Sequence, residues 1–350
     1  MSSAQTGWKP VRPPQWLLRR TGDAADSKVC ARSLATNFAT IDLRFAVFIL
    51  YSPAVRFRKV TIVGVGLLGG SIGLAIKQRH LADEVAGYVR RAASIVECEK
   101  AGALDYATSD LLAAVSGADL VILCTPLSHM RDLTRQLLPA LKRGSVVTDV
   151  GSVKASVVRE IEPILLKAGA QFIASHPMAG GEKNGVSAAR PDLFANTVCV
   201  VTPTSRSSSA ALRKVEQFWK ALGSRVLRMD PRLHDELVAR SSHLPHINAA
   251  ALANLVLDPK HPKEQPKLCA NGFRDSTRIA SGSPEMWRDI ALCNRSELSR
   301  AIGGFVKELG KVQRALKNSD AAALQAFFTQ AKQRRDGWCA ACPASTPDSR

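Results

Sequence analysis

Residues 59–79, "KVTIVGVGLLGGSIGLAIKQR", join an apolar run to a run with helical periodicity through a glycine-rich turn. The glycines of the turn stand in the spacing GxGxxG. The first permits a tight turn, the second lets the backbone approach a pyrophosphate, and the third lets helix and strand pack closely. Phosphates then lie at the helix N-terminus, where free N–H groups and the helix dipole favour an anion. The stretch predicts a dinucleotide site, and the alternative is a helix start that needs glycines only for packing. The residues assigned to this site are Gly64, Gly66, Leu67, Leu68 and Gly69.

Runs that predict strands and helices alternate from this turn to Pro203. The strands are "EVAGYV" (84–89), "ADLVILCTP" (118–126), "SVVTDVGS" (145–152), "QFIASHP" (171–177) and "TVCVVTP" (197–203). Most are continuous apolar runs, which is typical of a mostly parallel sheet with helices on both faces. The pattern becomes helical from Asp230, and residues 231–257 predict one long or kinked helix. We therefore expect an α/β protein: an N-terminal Rossmann-type doubly wound sheet followed by an all-α C-terminal dimerisation domain.

Four segments follow from these patterns. Residues 1–57 predict a basic, disordered arm, since nine Lys and Arg stand against three acidic residues up to Arg58 and no structural period persists. A transit peptide and a start codon placed too far upstream are alternatives for this arm. Residues 58–229 predict the dinucleotide-binding domain, residues 230–338 a helical substrate and dimerisation domain, and residues 339–350 a tail. Stretches such as "HINAAALANLVL" (246–257) hold more small apolar residues than one exposed helix face requires, which predicts a homodimer.

Composition narrows the class of protein. The formal charge of +18 is spread along the chain, only 5% of residues are aromatic, and no nucleic-acid-binding motif is present, so we expect small anionic ligands rather than nucleic acid. The eight cysteines are scattered and no secretory signal precedes them, which predicts a reduced, cytoplasmic protein. The single CxxC at Cys339 and Cys342 lacks a second pair, so we expect no metal. The longest apolar run, "FAVFILY" (45–51), is too short to cross a membrane.

Polar residues gather where several predicted strands end. Ligands of doubly wound sheets bind beyond the carboxyl ends of the strands. His176 ends a strand in "SHPMAG" (175–180), at the place where a nicotinamide and its substrate would meet, so we predict a functional histidine. The residues at the other two strand ends are Thr125, Pro126, Asp149, Gly151, Ser152 and Lys154.

Five motifs carry a resemblance to a known family. They are "GVGLLGGSIG", "TDVGSVK", "HPMAGGEKNGV", "LHDELVARSSHLPH" and "GFRDSTRIASGSPEMWRDI". In order and spacing they resemble the prephenate and arogenate dehydrogenases of tyrosine biosynthesis, over residues 59–338. The resemblance implies an NAD(P)-dependent oxidative decarboxylation, in which hydride leaves C4 of a cyclohexadiene, a base accepts the 4-hydroxyl proton, and the ring carboxylate leaves as CO2.

The resemblance also implies site residues. His176 is similar to the family's base, and Ser152 to its companion, which bonds the same hydroxyl or orients the imidazole. Arg278 matches the substrate-binding arginine, and His246 a second histidine of the pocket. The neighbouring candidates for the same pocket are His243, His234 and Asp235. Arg274 stands where some relatives carry lysine and is a candidate for steering the anion, with an ion pair to Asp275 as the alternative. Asp235 and His246 are eleven residues apart, which is three helical turns, so we expect them to share a helix face; the alternative is that this face is simply polar and exposed. We expect Trp287 to pack rather than contact substrate, and Glu182 either to tune the entrance or to cap a helix.

The substrate and the cofactor stay open between alternatives. Prephenate is the first expectation and arogenate the second. Another dehydrogenase of the β-hydroxyacid type and a non-catalytic NADP sensor are weaker alternatives. In NAD-specific Rossmann domains an acidic residue ends the second strand, but here Val89 stands there, followed by Arg90 and Arg91. Two guanidinium groups suit the 2′-phosphate of NADP, so we expect NADP to be preferred, with NAD as the alternative.

Overall fold

The computed structural model describes residues 55–181 and 183–341. The predicted arm up to residue 54, Glu182 and residues 342–350 of the predicted tail lie outside the described residues. The first strand begins at Phe57, and the last helix runs to Ala341, inside the segment predicted as a tail.

A six-stranded parallel sheet forms the first part of the fold. Its strands are β1 (Phe57–Val63), β2 (Ala82–Tyr88), β3 (Tyr106–Thr108), β4 (Leu120–Leu123), β5 (Val146–Asp149) and β6 (Gln171–Phe172). The strand order is β3-β2-β1-β4-β5-β6, and every neighbouring pair is parallel. The connecting helices are α1 (Leu67–Gln78), α2 (Ala93–Ala101), α3 (Leu111–Val115), α4 (Leu127–Leu137) and α5 (Ala155–Lys167). This arrangement confirms the Rossmann-type sheet that the alternating pattern predicts.

Successive residues of the central strands belong to different cores. In β4, Leu120 and Ile122 join one apolar cluster, whereas Val121 and Leu123 join another. All four side chains are fully buried. Because side chains alternate across a strand, both faces of the sheet must be covered, which is why the strand is apolar throughout.

The segment "QFIASHP" is two strands rather than the single strand expected from the sequence. After β6 the chain continues into β7 (Ala174–Pro177), which pairs antiparallel with β8 (Val198–Thr202). β8 pairs in parallel with β9 (Arg225–Arg228), and helix α6 (Ser209–Ala221) makes the crossover between them. A parallel pair needs such a crossover, whereas the described residues of segment 178–197 form one short 3₁₀ turn. β7 therefore returns antiparallel in a second, three-stranded sheet.

Helices make up the rest of the described chain. They are α7 (Pro231–Val238), α8 (Leu244–Val256), α9 (Asn271–Thr277), α10 (Pro284–Cys293), α11 (Arg295–Lys317) and α12 (Ala321–Ala341). A π turn at Ala239–His243 joins α7 to α8, so the long or kinked helix predicted there is one helical segment with a wider turn inside it. Within residues 55–181 and 183–341, no helix has the length and apolar character needed to cross a membrane.

Candidate active site

The glycine-rich turn between β1 and α1 has three glycines in different surroundings. Gly64 has φ +97°, and a Cβ there would lie 2.8 Å from Thr125 Cγ2. A Cβ on Gly69 would lie 2.3 Å from the Gly64 carbonyl oxygen. A Cβ on Gly66 would meet nothing within 4 Å. The first and third glycines are therefore needed for packing, whereas the second borders open space at the N-terminus of α1.

The residues around this open space fit a dinucleotide. Within α1, which the structure describes in full, no acidic residue stands in the first turn and no side chain caps the N-terminus. Its N–H groups can therefore bind the oxygens of an anion. At the end of β4, the Thr125 hydroxyl is buried without a hydrogen-bond partner among the described residues. At the end of β2, Val89 is buried while Arg90 and Arg91 are exposed. Pro126 is the residue before α4.

The loop after β7 reaches the same turn. A Cβ on Gly181 would lie 3.3 Å from Leu67 Cδ2, at the start of α1. This loop begins directly after His176 and Pro177, so it connects the candidate base with the glycine turn.

A buried ion pair lies next to β7. The ammonium of Lys154 and the carboxylate of Asp149 are in contact, and both side chains are fully buried. Lys154 Nζ also donates to the Ser175 carbonyl oxygen at 2.7 Å, and the Ser175 N–H donates to Asp149 Oδ1 at 3.1 Å. Because a buried charge must be paired and hydrogen-bonded, these contacts fix the backbone just before His176.

His176 belongs to a buried chain of hydrogen-bonding groups. Its Nδ1 lies 2.8 Å from Nε2 of His234, in α7. His234 Nδ1 lies 2.8 Å from Asp235 Oδ1. Asp235 in turn accepts the Lys154 N–H at 2.7 Å and the Ala155 N–H at 2.9 Å. A carboxylate from α7 thus caps the N-terminus of α5 and ends a chain that begins at His176.

Burial acts on the protonation of both rings. The pKa of His176 is well below the ordinary histidine value, mainly because burial disfavours the imidazolium, and the nearby His234, Lys154 and His243 act in the same direction. Burial likewise lowers the pKa of His234, against the opposing effect of its bond to Asp235. Both rings are therefore neutral near pH 7.

His243, the last residue of the π turn, is also buried. Its Nδ1 lies 3.2 Å from Asn294 Nδ2, which donates to the Asp235 carbonyl oxygen at 2.9 Å. Its Nε2 has no hydrogen-bond partner among the described residues. Burial lowers the pKa of His243 to about 4, although the Asp235 carboxylate and the backbone of Ser152 act to raise it. The Ser152 backbone is therefore close to His243.

His246 and Trp287 form a stacked pair. Their ring centroids are 3.6 Å apart with an interplanar angle of 28°. The edge of Trp287 also approaches His243, with centroids 6.2 Å apart. The pKa of His246 is lowered, first by burial and also by the positive charge of Arg278. The structure therefore brings His243, His246, Trp287 and Arg278 together. Trp287 thus packs against two histidines of the predicted pocket.

Other candidates are less connected. Arg274 is exposed in the last turn of α9, and Glu182 lies outside the described residues. The expectation that Asp235 and His246 share a helix face is wrong. The π turn between them alters the helical register, and Asp235 contacts α5 while His246 stacks on Trp287.

Asn294, which joins His243 to Asp235, is not predicted from the sequence. Its only signal in the sequence is its position between two helical runs, and this signal says nothing about its partners.

A separate cleft borders Asp235. Its volume is about 410 Å³. The residues around it include Ser156, Arg159, Arg232, Asp235, Asn294 and Arg295. Neither His176 nor the glycine turn lines this cleft, so it is distinct from the crevice at the carboxyl ends of the strands.

Comparison with known families gives two matches in chain order. Residues 72–228 match the family described as prephenate dehydrogenase, nucleotide-binding domain. Residues 230–330 match the family described as prephenate dehydrogenase, dimerization domain. Together the two matches include His176, His246 and Arg278.

The similar curated proteins include prephenate and cyclohexadienyl dehydrogenases. The chain is 34% identical to the prephenate dehydrogenase of Bacillus subtilis, over 79% of this chain and 75% of the relative. It is 32% identical to the cyclohexadienyl dehydrogenase of Zymomonas mobilis, over 80% of this chain and 95% of the relative.

Solved structures agree with these relatives. Prephenate dehydrogenase from Aquifex aeolicus, in complex with hydroxyphenyl propionate and NAD+, has a TM-score of 0.75 at 32% identity and covers 80% of this chain and 98% of its own. Synechocystis arogenate dehydrogenase has a TM-score of 0.69 at 28% identity, over 80% of this chain and 99% of its own. With the two family matches and the curated relatives, these structures identify the chain as a member of the prephenate dehydrogenase family.

Proposed function

We propose that this chain is an oxidoreductase that converts prephenate to 4-hydroxyphenylpyruvate by NAD(P)-dependent oxidative decarboxylation, in L-tyrosine biosynthesis. Family membership and the relatives' activities support this assignment. The observation that carries it is the buried His176, which lies one loop away from a glycine turn that fits a dinucleotide.

His176 is the base in this proposal. A general base must be unprotonated before the reaction, and the lowered pKa of His176 keeps the ring neutral at physiological pH. His176 accepts the proton of the 4-hydroxyl group, and Ser152 bonds the same hydroxyl or orients the ring. A nicotinamide dinucleotide bound at the glycine turn would supply the hydride acceptor.

Arg278, His246 and His243 bind the anionic substrate in this proposal. The planar guanidinium of Arg278 can hold a carboxylate through two parallel hydrogen bonds. The Nε2 of His243 is buried beside the Ser152 backbone and is the nitrogen of this ring that is left for a further polar partner. The stacked Trp287 holds the His246 ring in one orientation. Arg274, exposed nearby on α9, attracts the anion at longer range.

A steady-state assay tests this assignment. The absorbance of the reduced cofactor at about 340 nm is followed with prephenate and with arogenate, each with NAD and with NADP. Oxidation of prephenate is expected. Preferential oxidation of arogenate would support the second candidate, which the similarity to the Synechocystis enzyme favours.

The same assay identifies the base. His176→Asn should lower kcat by about 10²–10⁴-fold with a smaller change in KM, because the base acts in the transition state. Circular dichroism and thermal unfolding check that this variant folds. A folded variant with the wild-type kcat would show that His176 is not the base.

NADP is the preferred cofactor in this proposal. No carboxylate follows β2 at the usual position, and the exposed Arg90 and Arg91 can bind a 2′-phosphate. The wild type should show a higher kcat/KM with NADP than with NAD. Val89→Asp combined with Arg90→Ala should shift that ratio toward NAD.

Two further variants control this experiment. Val89 is buried, so Arg90→Ala with Val89 unchanged separates the loss of phosphate binding from the cost of a buried carboxylate. Arg213→Ala removes an exposed arginine from α6 and should leave the ratio unchanged. A wild-type preference for NAD would contradict the proposed role of the two arginines.

The proposal includes a homodimeric assembly and a cytoplasmic location. The family name of the second domain supports a homodimer. The described cysteines are free thiols, which supports a reducing, cytoplasmic location.

A further inference from the structure

The two nitrogens of the His176 ring have different environments. Nδ1 is engaged by His234, so Nε2 is the nitrogen left to meet a substrate hydroxyl. A neutral imidazole carries its proton on one nitrogen only, and the hydrogen bond of one nitrogen decides the state of the other. If the proton sat on Nε2, His176 would be unable to act as a base there.

Asp235 determines the direction of the hydrogen bonds. Its carboxylate accepts two backbone N–H groups of the α5 terminus, as an ionised, acceptor-only group does. His234 Nδ1 must therefore donate to Asp235 Oδ1. Since His234 is neutral, its Nε2 then has a lone pair and accepts the proton of His176 Nδ1.

We propose that His234 and Asp235 are positioning residues that hold His176 with a proton on Nδ1 and a lone pair on Nε2. This inference rests on the proposed function, in which His176 is the base. Asp235 orients His234, and His234 orients His176, so neither residue needs to touch the substrate.

The nearby charges bear on the imidazolium that forms during the reaction. Lys154 disfavours a positive charge on His176, and burial keeps the neighbouring His243 neutral by lowering its pKa to about 4. Among the described neighbours of the two rings, Asp235 is the carboxylate that a chain of hydrogen bonds joins to His176. During the reaction the hydroxyl O–H bond breaks, its electrons stay on oxygen, and an N–H bond forms at Nε2. The imidazolium keeps its Nδ1–H bond to His234, and the carboxylate stabilises the new charge through that ring.

The residues around this chain of hydrogen bonds hold its members in place. The N-terminus of α5 holds Asp235 through two hydrogen bonds, and the pair of Lys154 and Asp149 holds the strand residue before His176. His234 is completely buried, so water cannot replace either of its partners.

Two substitutions at His234 separate orientation from simple packing. His234→Leu removes both hydrogen bonds, and the most stable tautomer of His176 is then no longer fixed. His234→Gln offers a carbonyl oxygen to accept from His176 and an NH₂ group to donate to Asp235. The matched control is Thr134→Val, which removes a buried hydroxyl bonded to the Met130 carbonyl oxygen in α4.

The kinetic expectation is a loss of kcat with partial rescue. His234→Leu should lower kcat by about 10²–10³-fold with a small change in the KM of prephenate, since a comparable tautomer defect in a Ser-His-Asp site costs about 10⁴-fold. His234→Gln should recover most of that loss, and Thr134→Val should stay within about threefold of the wild type. Equal losses in His234→Leu and His234→Gln, both folded, would overturn the proposal.

The ¹⁵N spectrum of histidine-labelled protein gives a readout that does not depend on activity. His176 is assigned by its absence in His176→Asn. In the wild type and in His234→Gln, Nδ1 should show the shift of a protonated nitrogen and Nε2 that of an unprotonated one. In His234→Leu this difference should shrink or invert. A wild-type ring protonated on Nε2 would overturn the proposal, whereas a chain that oxidises neither substrate would overturn only the proposed function.

Discussion

The buried histidines have a consequence for the stability of the protein. His176, His234 and His243 are nine-tenths or more buried, and burial lowers the pKa of each. In the unfolded chain the pKa of a histidine is about 6.5. Between the two pKa values the unfolded state therefore binds protons that the folded state does not, and acidification favours unfolding.

The midpoint of urea unfolding should accordingly decrease as the pH falls from about 6.5 toward the folded pKa of His243, about 4. Above about pH 6.5 the rings are neutral in both the folded and the unfolded state, so their protonation does not reduce the free energy of unfolding there. Urea unfolding at a series of pH values measures the slope of this midpoint against pH. His243→Gln should flatten it, whereas His261→Gln, at an exposed histidine, should leave it unchanged. Equal slopes in wild type and His243→Gln would contradict the buried neutral state.

The sequence indicates candidate site residues individually, but it does not indicate their partners. His176 follows an apolar run next to a proline and small residues, which is a local signal. Its partner His234 is 58 positions away, and Asn294 is 51 positions from His243. Only the fold brings these residues together, since α7 packs against the N-terminus of α5.

The glycine turn is the element whose sequence and structure agree best. Its spacing assigns a different role to each glycine, and the free space found at each position differs in the same way. Gly66 borders open space, whereas Gly69 packs against the backbone of Gly64.

A pair of alanine substitutions should separate these roles. Gly69→Ala should lower the thermal unfolding midpoint, because the added methyl group overlaps the Gly64 carbonyl and overpacking costs about 1–3 kcal/mol. Gly66→Ala should leave that midpoint unchanged but weaken cofactor binding by at least about tenfold, or about 1.4 kcal/mol, because its methyl group occupies the space that a pyrophosphate approaches.

Calorimetric titration of each variant with NADP and NAD measures this binding directly. Wild-type affinity in a folded Gly66→Ala protein would show that the dinucleotide does not bind at this turn.

Other elements were harder to predict. The Rossmann sheet follows from long apolar runs, but β3 has three residues and leaves no run to detect. The break between β6 and β7 falls at Ile173, and the buried apolar residues Phe172, Ile173 and Ala174 leave no polar residue there to mark it. Pairing direction there depends on the connection to β8, which contains no crossover helix among its described residues.

Within one copy of the chain, the described residues of α8, α11 and α12 include few buried apolar side chains. Among the described residues of α8 only Ala249 is buried, and no residue of α12 is. In contrast, large apolar side chains are exposed on α11 and α12, including Val306, Leu309 and Phe328. A helix buries its apolar face against a partner, so these faces require another surface.

A second copy of the chain is expected to supply this surface. The family name of this domain favours a second copy of the chain, and the exposed faces of α11 and α12 give that copy an apolar surface to cover. Val306, Leu309 and Leu316 lie on one side of α11, with exposed fractions of 59%, 53% and 61%. Val306→Arg combined with Leu309→Arg should convert a dimer into a monomer, because two unpaired charges would have to be desolvated in the interface. Light scattering at micromolar concentration measures the mass. Gln217→Arg, which adds a charge to the exposed face of α6, should remain dimeric. A wild-type monomer at that concentration, or a double variant that stays dimeric, would show that α11 does not form the interface.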